Sequence, residues 1–478
     1  MAQRYFRKVI VLSCLLAFVP FSGVWCKEAD KVDSDYRHAS AEAYERWRDL
    51  KYGLRIHWGY YSLLGVEASW PVRKMSNSEK QAYFELYKKF DPRQFEAEKW
   101  MDLFERCGLK YFTITTKHHD GFSLFDTKSR VKRRVNYTAP CGPTIEECDL
   151  AYSIMDAPMK RDIVKELCDA AQKRGIAIDL YFSHVDWFDA DMRFDKWNPF
   201  PDADYNNRTD PEGYGRFVRR YRRQITELLT NYGKIDMMCL DMRLPEFCRP
   251  DVKETIKMAR RLQPDVLFRQ RGIGVYGDYQ TPENWIPQSG GLSDERVVKP
   301  WMVIYTLAGQ FAYEHDGDKY KSGAWIVSNL IDIAAKGGNF MVSIGPDGDG
   351  NFHPEAVKKL EYAGEWLRVN GEAIYRTRPW VHYKEGDEVR FTRSRDKKYV
   401  YAISLKWPGE EFRSRLLRPR KGSQIIMLGD KGLFGAARSL SWRMEGSEEL
   451  AVKIPKRLQH EKNRPCAQAY VLRIEPGA

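Results

Sequence analysis

Strand-like and helix-like segments, recognised by the spacing of their apolar residues, alternate between residues 54 and 346. Short apolar, β-rich runs lie at 54–59, 111–117, 176–183, 235–241, 267–272 and 337–346, with a weaker run at 301–306. Between them, apolar residues recur at helical spacing at 92–107, 157–174, 211–232 and 250–262, and each stretch ends near a Gly or a Pro. This order predicts parallel strands joined by right-handed crossovers. We therefore expect an α/β fold, a (β/α)8-like TIM barrel that need not be regular.

The pattern changes after a last helical stretch at 355–369. Short alternating runs follow at 389–394, 399–405, 423–429, 439–444, 450–455 and 469–475, separated by charged or turn-forming residues. They predict a C-terminal antiparallel β-sandwich of about a hundred residues. We expect a catalytic barrel over 27–376 and a β-sandwich over 377–478, packed directly on each other because no low-complexity linker separates them. A chain of 478 residues is long enough for both.

The first 26 residues are of another kind. Three basic residues precede an apolar run from 9 to 21, and small or permissive residues lead to Cys26. This layout is typical of a secretory signal peptide, and the apolar run is too short to span a bilayer comfortably. We expect export to a periplasmic, extracellular or lysosomal compartment, depending on the host, and no membrane span.

Charge and cysteine usage narrow the classes of function. The formal net charge is +12, but basic residues are spread along the chain, often beside acids, which indicates a solvated surface and no nucleic-acid binding. The cysteines after the signal include no Cys-x-x-Cys pair and are odd in number, so neither a zinc site nor a dense disulfide framework is indicated. Cys141 and Cys148 bracket a short loop, where a local disulfide and two simple thiols are both open.

Candidate chemistry lies where the predicted strands end. In a barrel of parallel strands the active site is at the C-terminal strand ends. These ends carry, in chain order, His57, His118 and His119, Tyr181 and His184, Asp241, and the run from Arg269 to Arg271. Four of the nine histidines fall there, which scattered surface histidines would rarely do. Because adjacent strand residues point different ways, the His118-His119 pair favours hydrogen bonding to a substrate over metal ligation. We expect no metal or other cofactor.

Two carboxyl groups could act together across this face. Asp241 ends a strand whose four preceding residues are apolar, so it is either functional or a local partner for the next turn or for Arg243. Glu283 follows the fifth strand on a predicted loop, with Asp278 and Glu246 as rivals. A retaining glycosidase needs two such groups roughly 5–5.5 Å apart, one of them protonated. Trp58, Trp70, Tyr181 and Trp187 would form a sugar-stacking wall, with core packing as the alternative for at least one.

At these residues the sequence resembles the α-L-fucosidases of glycoside hydrolase family 29. The matching segments are LKYGLRIHWG ending at Gly59, KYFTITTKHHDGF ending at Phe122, the run from Leu180 to Trp187, and the glycine-rich segments near residues 337–346 and 370–375. The resemblance implies a retaining exo-hydrolase that removes terminal α-L-fucose from fucosylated oligosaccharides or glycoconjugates by double displacement, without a metal. Asp241 would be the nucleophile and Glu283 the acid/base. The substrate-binding residues that the resemblance implies are His57, Trp70, His118, His119, Tyr181 and Arg271.

The sequence departs from the family pattern at several positions in this region. Ser69 stands where a Glu often precedes the tryptophan, Cys239 where a Trp is common, Met242 where a Gly follows the nucleophile, and Phe311-Ala312 where a Trp-Gly is usual. A lost polar partner changes which sugar a pocket prefers. Two alternatives therefore stay open: the same two carboxyl groups acting on a related deoxy- or hexopyranoside, and a sugar-binding relative with weakened turnover.

Overall fold

A computed structural model describes residues 31–288, 300–431, 435, 437–446 and 448–477. The predicted signal peptide, residues 1–26, lies outside this part of the chain. Among the described residues, no helix is both long and apolar enough to cross a membrane.

The N-terminal domain is built on parallel strands. The strands up to residue 344 are β1 (Tyr52–Ile56), β2 (Tyr111–Lys117), β3 (Val131–Asn136), β4 (Thr144–Leu150), β5 (Ala177–Ser183), β6 (Met237–Asp241), β7 (Leu267–Phe268), β8 (Met302–Thr306) and β9 (Asn339–Ile344). Seven of them form one sheet in the order β7-β6-β5-β2-β1-β9-β8, and every pairing is parallel. Their residues are buried almost throughout, as in a sheet covered on both faces.

An irregular segment lies between the two edge strands of this curled sheet. Tyr279 bridges Arg269, next to β7, while Gln280 and Glu283 bridge Trp301 and Ile304 on the β8 side. Backbone hydrogen bonds on both sides support these contacts, such as Gln270 N to Tyr279 O and Ile304 N to Pro282 O. Residues 279–284 therefore occupy the place of an eighth strand, and Glu283 lies in the barrel wall. The expectation that Glu283 sits on a loop above the barrel was wrong, because isolated bridges leave no periodic pattern.

Helices pack around the sheet and begin at recognisable caps. They are α1 (Ala41–Leu50), α2 (Asn77–Phe84), α3 (Ala97–Arg106), α4 (Ile163–Arg174), α5 (Pro211–Thr230), α6 (Arg249–Leu262), α7 (Gly323–Ala335) and α8 (Pro354–Asn370). The Asp162 side chain accepts the backbone N–H of Lys165 at the start of α4, and Asp210 accepts that of Gly213 at the start of α5. α4 ends at Gly175, whose φ of 67° suits glycine.

Sequence periodicity placed some boundaries wrongly. α3 and α4 begin at Ala97 and Ile163, five or six residues later than predicted, because the residues before them form turns and caps. β3 and β4 form a two-stranded antiparallel hairpin outside the barrel, which we did not predict. Its exposed, charged residues lack the clean alternation of a half-buried strand.

The C-terminal domain is antiparallel, as predicted. Its strands are β10 (Thr377–Glu385), β11 (Val389–Ser394), β12 (Val400–Ser404), β13 (Glu411–Ser414), β14 (Ile425–Lys431), β15 (Ala437–Leu440), β16 (Trp442–Glu445), β17 (Glu449–Lys453) and β18 (Tyr470–Ile474). A six-stranded sheet, β10-β11-β12-β18-β14-β15, and a three-stranded sheet, β13-β17-β16, share an apolar core. The opposite face of the larger sheet joins the core of the barrel through Ile403, Ile426 and Val471.

Candidate active site

Asp241 lies at the C-terminal end of β6 and is 3% exposed. The Tyr181 hydroxyl donates a hydrogen bond of 2.5 Å to its Oδ2, and Arg271 Nε lies 2.6 Å from its Oδ1. Burial alone would raise the pKa of Asp241, but the charge of Arg271 and the hydrogen bond from Tyr181 hold that pKa well below its ordinary value. Asp241 is therefore an aligned, ionised carboxylate. Its predicted local partner, Arg243, pairs with Glu246.

Arg271 joins the two candidate carboxylates. Its Nε pairs with Asp241 and its Nη1 contacts Glu283 Oε2, so one planar guanidinium bridges both. Because this group is rigid, the two carboxylate oxygens lie at most roughly 7 Å apart. Gly272 lets the chain that carries Arg271 lie close to β6. A Cβ at residue 272 would be 2.3 Å from the carbonyl oxygen of Leu240 on β6. The two carboxyl groups thus face each other across one narrow space.

The three histidines lie at the ends of β1 and β2, and the rings of His57 and His118 are each 5.8 Å from the ring of Tyr181, measured between centroids. His118 Nδ1 lies 2.6 Å from Ser69 Oγ, and His119 Nδ1 lies 2.7 Å from Ser183 Oγ. Burial lowers the pKa of His57 and His118 well below the ordinary value and that of His119 to about 3. Neutral imidazoles with one nitrogen held by a hydroxyl suit hydrogen bonding to sugar hydroxyls. Among the described residues, no cluster of three or more His, Cys, Asp or Glu could hold a metal ion.

The aromatic residues divide into two groups. Trp70 lies edge-on to His119, with ring centroids 4.9 Å apart, and to Trp187 at 5.6 Å, so these two indoles border the histidines. Trp58 is 1% exposed and packs on Phe90 and Trp100. Trp58 is therefore a core residue and does not belong to a sugar-stacking wall.

Two charged side chains that the sequence did not single out also reach the site. Arg55, on β1, is 4% exposed; its Nη1 lies 3.9 Å from Glu283 Oε2, and its guanidinium packs on the Tyr181 and Phe311 rings, 5.0 Å from each centroid. Glu67 accepts the backbone N–H of Phe311 at 2.7 Å, and burial raises its pKa. The charge of Arg55 in an otherwise apolar strand is the sequence feature that could have identified it as a site residue. Glu67 carried no such signal.

The two rivals for the acid role lie elsewhere. Asp278 is buried and pairs with Arg260 at 2.7 Å, while it also accepts the backbone N–H groups of Ala39 and Phe268. Glu246 lies after β6 and pairs with Arg249 at 2.9 Å. Asp278 thus has a structural role, and Glu246 forms ion pairs with Arg243 and Arg249.

Three of the residues that depart from the family pattern lie beside His118 or Asp241. Ser69 holds His118, as described above, and Cys239 is a fully buried, free thiol two residues below Asp241 on β6. Met242 adopts a φ of 69°, a left-handed conformation that glycine tolerates better than methionine. Cys141 and Cys148 are also free thiols, which removes the disulfide alternative.

Comparison with known proteins decides the family. The sequence model described as "Alpha-L-fucosidase" matches residues 26–372, well over half of the chain, and "Alpha-L-fucosidase C-terminal domain" matches residues 384–475. The chain belongs to the α-L-fucosidase family. The predicted family, the α-L-fucosidase type of glycoside hydrolase and the barrel followed by an antiparallel domain are thereby confirmed.

Individual relatives agree over nearly the whole chain. The human plasma α-L-fucosidase is 26% identical over 469 residues, 93% of each chain, and the human tissue α-L-fucosidase is 28% identical over 436 residues, 86% of this chain and 84% of that one. Among solved structures, the Thermotoga maritima α-fucosidase in complex with fucose has a TM-score of 0.68 at 25% identity and covers 90% of this chain and 96% of its own. A trapped covalent intermediate of a Bacteroides thetaiotaomicron enzyme has a TM-score of 0.73 at 24% identity, with 94% and 99% coverage.

Proposed function

We propose that Asp241 is the nucleophile and Glu283 the acid/base of a retaining α-L-fucosidase that acts on terminal α-L-fucose of oligosaccharides or glycoconjugates. The observation that carries this proposal is the bridge made by Arg271, which brings one buried and one partly exposed carboxylate to the same space. The family membership of the chain supports the reaction type.

The proposed reaction has two steps. Asp241 attacks the anomeric carbon of fucose while Glu283 transfers its proton to the departing glycosidic oxygen, which leaves as an alcohol. Glu283, now a carboxylate, takes a proton from water, whose oxygen attacks the same carbon and breaks the bond to Asp241. Two inversions return the sugar with its original configuration.

The surrounding residues have matching roles in this proposal. His57, His118, His119 and Tyr181 would hold the sugar hydroxyls together with Arg271, and Trp70 would close the pocket beside the C6 methyl group. Arg271 binds both carboxylates, so sugar hydroxyls that engage its N–H groups would compete with Glu283. We expect this competition to free Glu283 for proton transfer.

The proposal is tested with an aryl α-L-fucoside and the variants Asp241→Ala and Glu283→Ala. We expect Asp241→Ala to be nearly inactive and azide to restore turnover as a fucosyl azide of inverted configuration, because azide replaces the missing nucleophile. Azide should rescue Glu283→Ala with retained configuration, since the covalent intermediate still forms. An unchanged hydrolysis rate in Asp241→Ala would end the assignment.

A second candidate is the same chemistry on a related sugar. Ser69 and Cys239 stand where Glu and Trp are common, so the polar partners beside His118 and Asp241 differ from the family pattern. The two candidate substrates, fucose and a related sugar, are distinguished with a panel of aryl glycosides. The panel contains an α-L-fucoside, an α-L-galactoside and other deoxy- or hexopyranosides. The highest kcat/KM identifies the sugar, and binding without turnover of any glycoside would indicate a weakened relative.

Export is part of the proposal. The basic and apolar N-terminus supports it, as do relatives named as plasma and tissue α-L-fucosidases. N-terminal sequencing of the protein from its native compartment should find a chain that begins near residue 27, and a chain that begins at Met1 would contradict cleavage.

A further inference from the structure

We infer that the rim of the barrel beside Trp70 is a binding subsite for an acidic sugar on the aglycone side of the scissile bond. The subsite consists of Trp197 with Arg73 and Lys196. The inference rests on the proposed function, since it concerns the group from which fucose is released.

An aromatic path leads from the site to this rim. Trp70 lies 4.9 Å from His119, measured between ring centroids, and Trp197 lies 6.3 Å beyond Trp70. Trp70 belongs to the loop after β1 and Trp197 to the loop after β5, so both lie at the C-terminal face of the barrel. Because this row of rings starts beside His119, a proposed fucose ligand, and ends at Trp197, we infer that the unit bonded to fucose lies against Trp197.

Trp197 is exposed, in contrast to the aromatic residues behind it. It is 38% exposed, whereas Trp187 is 1% exposed. Its backbone is fixed, because the buried Asp195 accepts the N–H of Trp197 at 3.1 Å and the indole N–H of Trp187 at 2.9 Å. A held and exposed indole is a suitable platform for the apolar face of a sugar ring.

The two cations at this platform have no ion-pair partner among the described residues. The Arg73 guanidinium lies 4.3 Å from the Trp197 ring centroid and the Lys196 ammonium lies 5.0 Å from it. Both face the carboxylate of Asp195, but this group is buried and occupied by the two tryptophan N–H groups. By contrast, Arg193 pairs with Asp202 and Lys88 pairs with Glu85. Unpaired cations on an aromatic platform match an anionic ligand.

The occupant that fits is a sugar that carries a carboxylate or a sulfate ester. Its ring would stack on Trp197 while its anionic group binds Arg73 and Lys196, and guanidinium suits both anions through paired N–H groups. The excess of positive charge on the whole chain would also favour approach of an acidic glycan. A carboxylate and a sulfate ester would bind in the same way, and the experiment below distinguishes them.

The experiment compares kcat/KM at low salt for four substrates: an aryl α-L-fucoside, a fucosyl disaccharide with a neutral aglycone sugar, and its uronic-acid and sulfated counterparts. We expect the wild type to prefer at least one acidic disaccharide over the neutral one by about tenfold, and the preference to fall with added salt. Whichever of the uronic-acid and sulfated disaccharides has the higher kcat/KM identifies the anion.

Variants locate the effect. Arg73→Gln/Lys196→Gln should lose the preference and leave kcat/KM for the aryl fucoside unchanged, whereas Trp197→Ala should lower kcat/KM for the acidic and neutral disaccharides alike. The control Lys397→Gln/Lys421→Gln removes two exposed charges from the C-terminal domain and should keep the preference. Equal kcat/KM for acidic and neutral disaccharides in the wild type would overturn the inference. Failure to hydrolyse the aryl fucoside would instead count against the proposed function.

Discussion

The two sides of the pocket are built in different ways. Asp241 ends a regular strand that pairs with β5 and β7, and it is held by Tyr181 and Arg271. Glu283 belongs to an irregular segment joined to the sheet by isolated bridges, and its side chain is 27% exposed. Each carboxylate is followed by a non-glycine residue in the left-handed region, Met242 at a φ of 69° and Asn284 at 58°.

The difference matches the two tasks that we propose. A nucleophile must be ionised and aligned with one carbon atom, which a buried strand end with fixed partners achieves. A proton donor that later activates water must stay accessible to water and change its protonation during the reaction. The regular side therefore supplies alignment and charge, and the irregular side supplies access.

The largest expected effect is the loss of the nucleophile. Asp241→Asn should lower kcat by about 10⁴-fold or more, because the attacking charge is removed while the size of the side chain is kept. Steady-state kinetics with an aryl fucoside measures this loss. The control is Asp236→Asn, just before the start of β6, where the carboxylate accepts the backbone N–H of Ile178. Asp236→Asn should affect stability alone, and similar losses of kcat in both variants would contradict the contrast.

The next effect concerns the acid/base on the irregular side. Glu283→Gln should lower kcat/KM by about 10²- to 10⁴-fold for substrates with poor leaving groups and only slightly for a dinitrophenyl fucoside, which departs without a proton. A Brønsted plot against leaving-group pKa displays the difference. Glu246→Gln, an exposed glutamate paired with Arg249, is the matched control and should follow the wild type. An equal loss of kcat/KM for all leaving groups would show that Glu283 is not the proton donor, and Glu67 would be the first other residue to test.

A smaller effect is expected from the hydrogen bond that holds the nucleophile. Tyr181→Phe removes the donor to Asp241 Oδ2, which helps to keep the pKa of Asp241 low. The pKa should rise, so the acidic limb of the kcat/KM profile should move to higher pH, since activity needs the carboxylate. We expect roughly a tenfold loss near neutral pH. An unshifted acidic limb would show that another group sets it.

The last effect is on stability and not on turnover, and it comes from His119. Burial lowers the pKa of His119 to about 3 in the folded protein, against 6.5 when exposed, so the unfolded chain binds more protons between these values. The free energy of unfolding should therefore fall as pH decreases from 6.5 towards 3, by up to about 1.4 kcal/mol per pH unit for this group.

Denaturant unfolding at several pH values measures the slope. His119→Asn should make the slope shallower, whereas His382→Asn, in the exposed part of β10, should leave it unchanged. A steeper slope in His119→Asn would contradict the assignment of a neutral, buried imidazole.

The regular side of the pocket was predictable from the sequence. Parallel strands buried on both faces leave long apolar runs, and the rule that active sites lie at strand ends places His57, His118, His119, Tyr181 and Asp241 on one face. The antiparallel domain was predictable from a different pattern, because apolar and polar residues alternate along its strands.

The irregular side was not predictable in the same way. Residues 279–284 pair through single bridges and contain Pro282, so they show no strand period. The position of Arg55 depends on a long side chain that crosses the barrel interior to Glu283, and that of Glu67 on the backbone of a distant loop at Phe311. Such contacts depend on tertiary packing and leave no local signal.

The assignment of Asp241 as the nucleophile is tested most directly by trapping the covalent intermediate. The wild-type enzyme would be incubated with a 2-fluoro-fucosyl fluoride, digested with protease, and analysed by mass spectrometry for the modified peptide. We expect one fluorofucosyl group on Asp241 and none in Asp241→Asn. A label on another carboxylate, or full turnover of a natural substrate without any label, would contradict it.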